Sequence, residues 1–136
     1  MTKFKRLAAS VMAAASLALS SMGVMTASAN NCTDTEFSFY FVGSGAHCTE
    51  LRDKTDYSSS YAYLDFISNG SVVAHIYDED GVDRTAGTPK TLIVGTGVYL
   101  PNYVKENNKS KAKLGVTKGT DSTVINCSGL WSPDSV

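Results

Sequence analysis

Residues 60–77, S-Y-A-Y-L-D-F-I-S-N-G-S-V-V-A-H-I-Y, indicate the fold class of this chain. Apolar residues alternate with polar or tyrosine residues over 60–67, and the alternation resumes over 71–77. A period of two predicts half-buried β-strands. Asn69 and Gly70, between the two runs, both tolerate the positive φ angles of a type I′ turn, so the segment predicts a β-hairpin.

The same alternation continues on both sides of this segment. Residues 37–42 predict a strand that Gly43-Ser44-Gly45 ends, and residues 102–108 predict one helical turn or an irregular crossover. Further strands are predicted at residues 90–94, 98–100, 111–116 and 122–131. About six short strands separated by Gly- and Asn-rich turns indicate an all-β, antiparallel β-sandwich. A small closed barrel is the alternative that the pattern leaves open.

The inward positions of these strands predict the hydrophobic core. They are mostly aromatic or aliphatic and share one face of each strand. The predicted core residues are Phe37, Phe39, Phe41, Ala62, Leu64, Phe66, Val72, Ile76, Leu92, Val94, Leu114, Val116, Val124 and Trp131.

Length and composition narrow the functional classes. The chain has 136 residues and a mass of 14.5 kDa, which suits one domain. Hydrophobic residues make up 43%, charged residues 18%, and the formal net charge is −1. This balance excludes a disordered chain, a collagen-like fibre and a nucleic-acid binder built on bulk positive charge.

The N-terminal segment has the three parts of a secretory signal peptide. Lys3, Lys5 and Arg6 form a positive region, residues 7–25 are apolar, and Ala27-Ser28-Ala29 matches a cleavage site. We therefore expect a signal peptide at 1–29, one domain at 30–136 and a secreted product. Loss of the three basic residues lowers the formal net charge from −1 to −4. The remaining sequence has no second apolar run of membrane length, so we expect no transmembrane segment after cleavage.

Three cysteines follow the predicted cleavage site: Cys32, Cys48 and Cys127. In an oxidising compartment they predict one disulfide and one remaining thiol. We predict that Cys127 is one of the two bonded cysteines and that the bond does not join Cys32 to Cys48. If residues 36–42 form an extended strand that turns at Gly43, Cys48 returns opposite the far end of the strand, near Tyr40. Cys32 then lies about eight residues earlier, roughly 25 Å away at the usual strand rise, whereas a disulfide needs Cα atoms within about 7 Å.

Two groups of polar residues are candidates for a catalytic or metal site. Asp78, Asp80 and Asp83 have the oxygen ligands that Ca²⁺ prefers, but their spacing does not fit an EF-hand, and a solvated hairpin tip is the preferred interpretation. His75 could act as a base, yet no nucleophile motif accompanies it. We therefore predict no catalytic residue, no metal and no cofactor, and a protein that is not an enzyme.

Two residue types suggest contact surfaces. A basic region could meet anionic cell-envelope polymers or lipid head groups, or protect a sheet edge from aggregation; it comprises Lys105, Lys109, Lys111, Lys113 and Lys118. Tyrosines on an outer sheet face could form a binding platform, or could simply be half-buried strand residues; they are Tyr57, Tyr61, Tyr63, Tyr77, Tyr99 and Tyr103.

The C-terminal string G-L-W-S-P-D-S at 129–135 is the most distinctive part of the sequence. With L-R-D-K-T-D at 51–56 and N-Y-V-K-E-N at 102–107, it resembles a family of small exported proteins of unknown function from Gram-positive bacteria. That resemblance implies a signal peptide followed by one β-rich domain ending in W-S-P-D-S, and implies no particular activity.

A looser similarity links the chain to the lactococcin-type bacteriocins, which are small exported β-sandwich proteins. Those proteins are richer in basic residues, histidine and tryptophan, whereas this chain is acidic after cleavage and contains cysteines. We therefore expect a secreted, non-catalytic protein that acts by contact at the cell envelope or with other extracellular partners. A bacteriocin-like antibacterial effector is the alternative.

Overall fold

A computed structural model describes residues 31–120 and 124–135 of the chain. The predicted signal peptide and its cleavage site lie outside these residues. The described residues form one 3-10 helix, Lys105–Asn107, and nine strands: β1 (Thr35–Phe41), β2 (His47–Cys48), β3 (Arg52–Asp53), β4 (Ser60–Ile67), β5 (Val72–Asp78), β6 (Lys90–Leu92), β7 (Gly97–Leu100), β8 (Lys111–Lys118) and β9 (Ile125–Ser132).

The strands form two sheets, which confirms the predicted all-β sandwich. The four-stranded sheet has the order β1-β9-β4-β7. The five-stranded sheet has the order β2-β8-β5-β6, and β3 also pairs with β8. All these strand pairs are antiparallel. The apolar faces of the two sheets meet and form the core.

The predicted hairpin at Asn69-Gly70 is wrong. β4 lies in the four-stranded sheet and β5 in the five-stranded sheet, so the two strands do not pair. Gly70 has a φ of 70°, but Asn69 does not have the positive φ that a type I′ turn requires. The turn therefore carries the chain from one sheet to the other.

Most of the predicted core is buried, but three predicted residues are exposed. Phe66 is 48% exposed, Val94 48% and Val124 38%. Val94 follows the end of β6 and Val124 precedes the start of β9, so neither lies within a paired strand. Phe39 is only partly buried and packs against the edge of the core. The core also contains residues that the predicted core list omits: Ala74, Leu100, Val104, Ala112, Ile125 and Cys127.

A β-bulge explains the exposure of Phe66. In the β4–β9 ladder, Leu64 pairs with Gly129 and Phe66 with Ser128, so Asp65 is an extra residue. An extra residue reverses the faces of the residues that follow it. Phe66 therefore points outward, although strict alternation assigned it to the core.

A buried ion pair fixes the C-terminal tail. Lys54 is 2% exposed and Asp134 is fully buried, and the Lys54 ammonium donates to Asp134 Oδ1 over 2.6 Å. Asp134 Oδ2 accepts hydrogen bonds from the backbone N–H of Asn31 (2.7 Å) and from the backbone and hydroxyl of Thr55 (3.1 and 2.7 Å). Burial alone would raise the pKa of Asp134, but the bonds from Lys54, Thr55 and Asn31 outweigh it and lower this pKa.

The rest of the W-S-P-D-S string makes contacts around this ion pair. The Ser60 hydroxyl donates to the carbonyl of Pro133 over 2.8 Å, and the Ser135 N–H donates to the Ser58 hydroxyl over 3.1 Å. Trp131 is buried, and the Arg52 guanidinium lies 5.6 Å from the centre of its ring. The string is therefore a structural tail that joins β9 to the segment between β3 and β4.

Replacing Lys54 with Met should destabilise the fold by about 3–5 kcal/mol, because it leaves the Asp134 carboxylate buried without its cation. Replacing both partners, as Lys54→Met with Asp134→Leu, should restore much of this loss. The exposed pair Lys111–Asp53 is the control, and Lys111→Met should cost far less, because solvent screens an exposed ion pair. Urea unfolding measures all three. Equal costs for the buried and exposed pairs would contradict the structural role of the tail.

Candidate functional site

The outer face of the four-stranded sheet carries a group of exposed aromatic side chains. Tyr40 and Tyr99 are each 59% exposed, and the Tyr61 and Tyr99 ring centroids lie 5.6 Å apart across β4 and β7. The bulge in β4 adds Phe66 to this surface. We call it the tyrosine face and define it by Tyr40, Tyr61, Tyr63, Phe66, Tyr99 and Leu130.

An open groove of about 660 Å³ runs across this face. Glu36 on β1 and Asp65 in the β4 bulge provide carboxylates, and the Ser128 hydroxyl donates to Asp65 Oδ1 over 2.9 Å. The groove is also lined by Ser38, Leu130 and the backbone around Gly129. It therefore combines acidic and hydroxyl groups with neighbouring aromatic rings.

A second depression, of about 300 Å³, lies at the other end of the tyrosine face. Tyr61, Tyr99, Asp34 and Cys32 line it together with Ser132 and Ser135. Partial burial, the Asp34 carboxylate and the neighbouring tyrosines raise the pKa of Tyr61, so its phenol stays protonated and can donate a hydrogen bond. Neither this depression nor the groove has a lysine or arginine among the described residues that line it.

The outer face of the five-stranded sheet holds a hydrogen-bonded row that sequence reasoning missed. His75 Nδ1 lies 2.9 Å from Asp83 Oδ2, and His75 Nε2 lies 3.2 Å from the Thr117 hydroxyl. Asp83 also accepts from the backbone and hydroxyl of Thr85. No sequence motif could have shown this arrangement, because Thr117 is 42 residues from His75 and reaches it only through the β5–β8 pairing.

The order carboxylate, imidazole, hydroxyl is also that of a proton relay. Here the row ties the loop after β5 to the sheet: the Thr85 hydroxyl that Asp83 holds also accepts from the N–H of Ile76. The Asp83 carboxylate is itself 42% exposed, so the row lies at the open surface.

Tyr77 and Cys48 meet beside this row. Both lie over Gly115 of β8, where a Cβ would overlap the Tyr77 ring and come 3.3 Å from Cys48 Sγ. Gly115 therefore has to lack a side chain for Tyr77 to lie flat on the sheet. Burial raises the pKa of the Cys48 thiol, and the charge of Lys113 partly opposes that rise.

The three aspartates considered for Ca²⁺ have different partners. Asp78 is buried and accepts from Arg84 Nε over 2.7 Å, Asp80 pairs with Lys109 over 2.6 Å, and Asp83 contacts His75. Asp78 is thus not part of a solvated hairpin tip, because it holds the turn after β5 through the N–H groups of Asp80 and Val82. In the described part of the chain, no three His, Cys, Asp or Glu side chains are grouped to hold a metal ion.

The predicted basic region is partly neutralised within the molecule. Lys109 pairs with Asp80 and Lys111 with Asp53, each over 2.6 Å. The Glu79 carboxylate also accepts from the backbone N–H of Ser110 and Lys111. The remaining members, Lys105, Lys113 and Lys118, are all half-buried. The five lysines therefore present less positive charge than the sequence suggests.

The structure does not support the predicted disulfide, because Cys32, Cys48 and Cys127 are all free. Cys127 lies in the core between the sheets, whereas Cys48 lies on the outer side of the five-stranded sheet. Cys32 precedes β1 near the tail, and Cys127 pairs with Phe39 farther along that strand. The sequence could not show this, because it does not reveal which face of which sheet each cysteine occupies.

These features define a small all-β sandwich with one aromatic and acidic outer face. The chain belongs to the DUF2712 family of proteins of unknown function, whose family model matches residues 25–135. This confirms the predicted membership of an uncharacterised family. No curated protein and no solved structure matches the chain. Within the described residues, no helix is long and apolar enough to cross a membrane.

Thiol labelling should separate the three cysteines. Burial raises the pKa of Cys127 to about 11, so its thiol should be protonated and shielded from a disulfide reagent at pH 8. We expect two thiols per chain, Cys32 and Cys48, to react in the native protein and three in denaturant.

The Cys127→Ala variant is the control and should lose only the thiol that denaturant exposes. A secreted protein with a single reactive thiol in denaturant would instead show that a disulfide forms.

Proposed function

We propose that this protein is exported and acts as a non-catalytic binding protein at the cell envelope, where its ligand is a wall carbohydrate polymer. The tyrosine face is the observation that carries the proposal. Sugar rings expose both C–H and hydroxyl groups, and exposed tyrosines offer an apolar ring and a polar hydroxyl to match them. The signal-peptide pattern at residues 1–29 supports export.

The polar groups of the groove support a carbohydrate ligand. Glu36 and Asp65 can accept hydrogen bonds from sugar hydroxyls, and Ser38 can both donate and accept. The negative charge of Glu36 and Asp65 favours an uncharged stretch of polymer at this face, because these carboxylates would repel a phosphate or carboxylate group.

The lysines contribute a second, weaker contact to the proposal. On a polymer that also carries anionic groups, they would add attraction at a distance from the acidic groove. The internal ion pairs of Lys109 and Lys111 limit this contribution, because an anionic ligand has to compete with Asp80 and Asp53. Lipid head groups are the alternative anionic partner, and binding to anionic vesicles compared with binding to the wall polymer distinguishes the two.

The absence of catalysis is part of the proposal. The row Asp83–His75–Thr117 is the arrangement that would challenge it, because a relay of this kind can activate a hydroxyl. We assign the row a structural role. Hydrolysis of an activated ester that disappears in the His75→Ala variant, while the variant stays folded, would overturn this assignment.

Truncating the tyrosine face should weaken binding to purified, insoluble wall polymer. Because stacked rings supply most of the proposed contact, the double variant Tyr40→Ala, Tyr99→Ala should lose about tenfold in affinity or more. Tyr103 is similarly exposed and lies outside the tyrosine face, so Tyr103→Ala is the matched control. Sedimentation with the polymer measures bound protein. An equal loss of affinity in the double variant and in Tyr103→Ala would contradict the proposal.

Salt should reduce only the lysine-dependent part of the binding. The Debye length falls from about 10 Å at 0.1 M to about 3 Å at 1 M, so exposed charges lose their attraction. The variant with Lys109, Lys111 and Lys113 all changed to Gln should bind moderately less at low salt and equally at high salt. Binding that changes neither with salt nor with the lysine substitutions would remove the lysines from the proposal. Binding to anionic vesicles but not to the wall polymer would indicate a lipid partner.

The bacteriocin-like alternative predicts a different effect of the purified protein on living cells. An antibacterial effector should inhibit the growth of susceptible bacteria when purified protein is added, whereas a binding protein should associate with cells without killing them. Growth inhibition that is lost with the tyrosine double variant would favour the effector over the proposed role.

A further inference from the structure

The edge strands of the two sheets differ greatly in length. β2 and β3 have two residues each, β6 has three and β7 has four, whereas β1 has seven. Short edge strands are one way in which proteins avoid pairing with other chains. β1 is the long exception, and it pairs with β9 on one side only.

The open side of β1 has no partner in residues 31–120 and 124–135. The hydrogen bonds between backbone groups outside the strand ladders do not include any residue from Glu36 to Phe41. Arg52 reaches the Thr35 side chain, and His47 packs against the rings of Phe39 and Phe41, but these contacts use side chains on the inner face. No segment among the described residues therefore pairs with the backbone groups along this edge.

The sequence of β1 also lacks the usual protection against strand pairing. T-E-F-S-F-Y-F contains one charged residue, no proline and no glycine, and the strand is free of bulges in its ladder with β9. High β-propensity and low charge in a seven-residue edge segment are the features that promote pairing between chains. Tyr40 and the following Val42 are 59% and 66% exposed, so apolar surface lies beside the open edge.

A second copy of the chain fits this edge. An antiparallel pair of β1 strands with its two-fold axis at Ser38 overlaps all seven residues. In that register Glu36 lies opposite Tyr40 of the other copy, Phe37 opposite Phe39, and Ser38 opposite Ser38. Like charges do not face each other across the two strands in this register, which favours pairing. The contact uses the same surface on both copies, as a closed dimer requires.

We propose that two copies of this protein pair through β1 and form one continuous eight-stranded sheet. The two-fold axis stands perpendicular to the sheet, so the tyrosine faces of both copies lie on the same side. The dimer thereby doubles the length of the aromatic surface. This inference rests on the edge strand and not on the proposed carbohydrate ligand.

Sedimentation equilibrium of the secreted protein over a range of concentrations tests the pairing. The wild-type protein should approach twice the mass of one chain. Ser38→Lys places like charges opposite each other at the axis, and the dimer should dissociate about fivefold more readily or worse. Asn126→Lys adds the same charge to the same sheet face on the interior strand β9, so this matched control should dimerise as the wild type does.

A charge-rescue experiment tests the register itself. Ser38→Lys and Ser38→Glu should each dimerise poorly alone, and an equimolar mixture of the two should recover a dimer containing one copy of each. Circular dichroism of each variant confirms that it is folded. A monomeric wild type, an equal effect of Asn126→Lys, or a mixture that does not recover would each overturn the proposal.

Discussion

The buried contact between Lys54 and Asp134 is the constraint on which the two ends of this fold depend. A charge in the interior is tolerated only when it is paired and its remaining hydrogen-bonding capacity is used. Here the carboxylate takes one bond from Lys54, two from Thr55 and one from Asn31. These donors come from the start of the described chain and from the segment after β3, and the acceptor comes from its end. All the hydrogen bonds of the Asp134 carboxylate are therefore made only when all three segments are in place.

That requirement explains the distinctive C-terminal string. Trp131 fills the core, Pro133 accepts from the first residue of β4, Ser135 donates to the segment before β4, and Asp134 completes the ion pair. The tail in turn fixes the position of β9, which lies between β1 and β4 and pairs with both. Both candidate surfaces rest on this strand, because the tyrosine face covers β9 and the open edge belongs to its neighbour β1. A substitution in the tail should therefore affect binding through stability before it affects any contact with a ligand.

The two outer faces of the sandwich have different chemistry. The four-stranded sheet presents exposed aromatic rings with the carboxylates of Glu36 and Asp65. The five-stranded sheet presents the row Asp83–His75–Thr117, and in and just before β8 the lysines Lys109 and Lys111 are paired with carboxylates. The aromatic and acidic face is open and has few internal bonds, whereas the other face is largely tied together by its own polar groups. This contrast is why we place ligand contact on the four-stranded sheet.

The sequence by itself determined the all-β class, most of the core and the membership of an uncharacterised family, because side-chain alternation and a distinctive string such as W-S-P-D-S are local properties of the chain. Only the tertiary structure decided which strands pair. Except for β5 and β6, strands that are consecutive in the chain do not pair, so the local turn signal at Asn69-Gly70 was misleading. Register between distant strands likewise determines three other features. These are the bulge at Asp65, the sheet faces that the cysteines occupy and the row through His75. Register is set by the packing of both sheets together, and no single segment of the sequence encodes it.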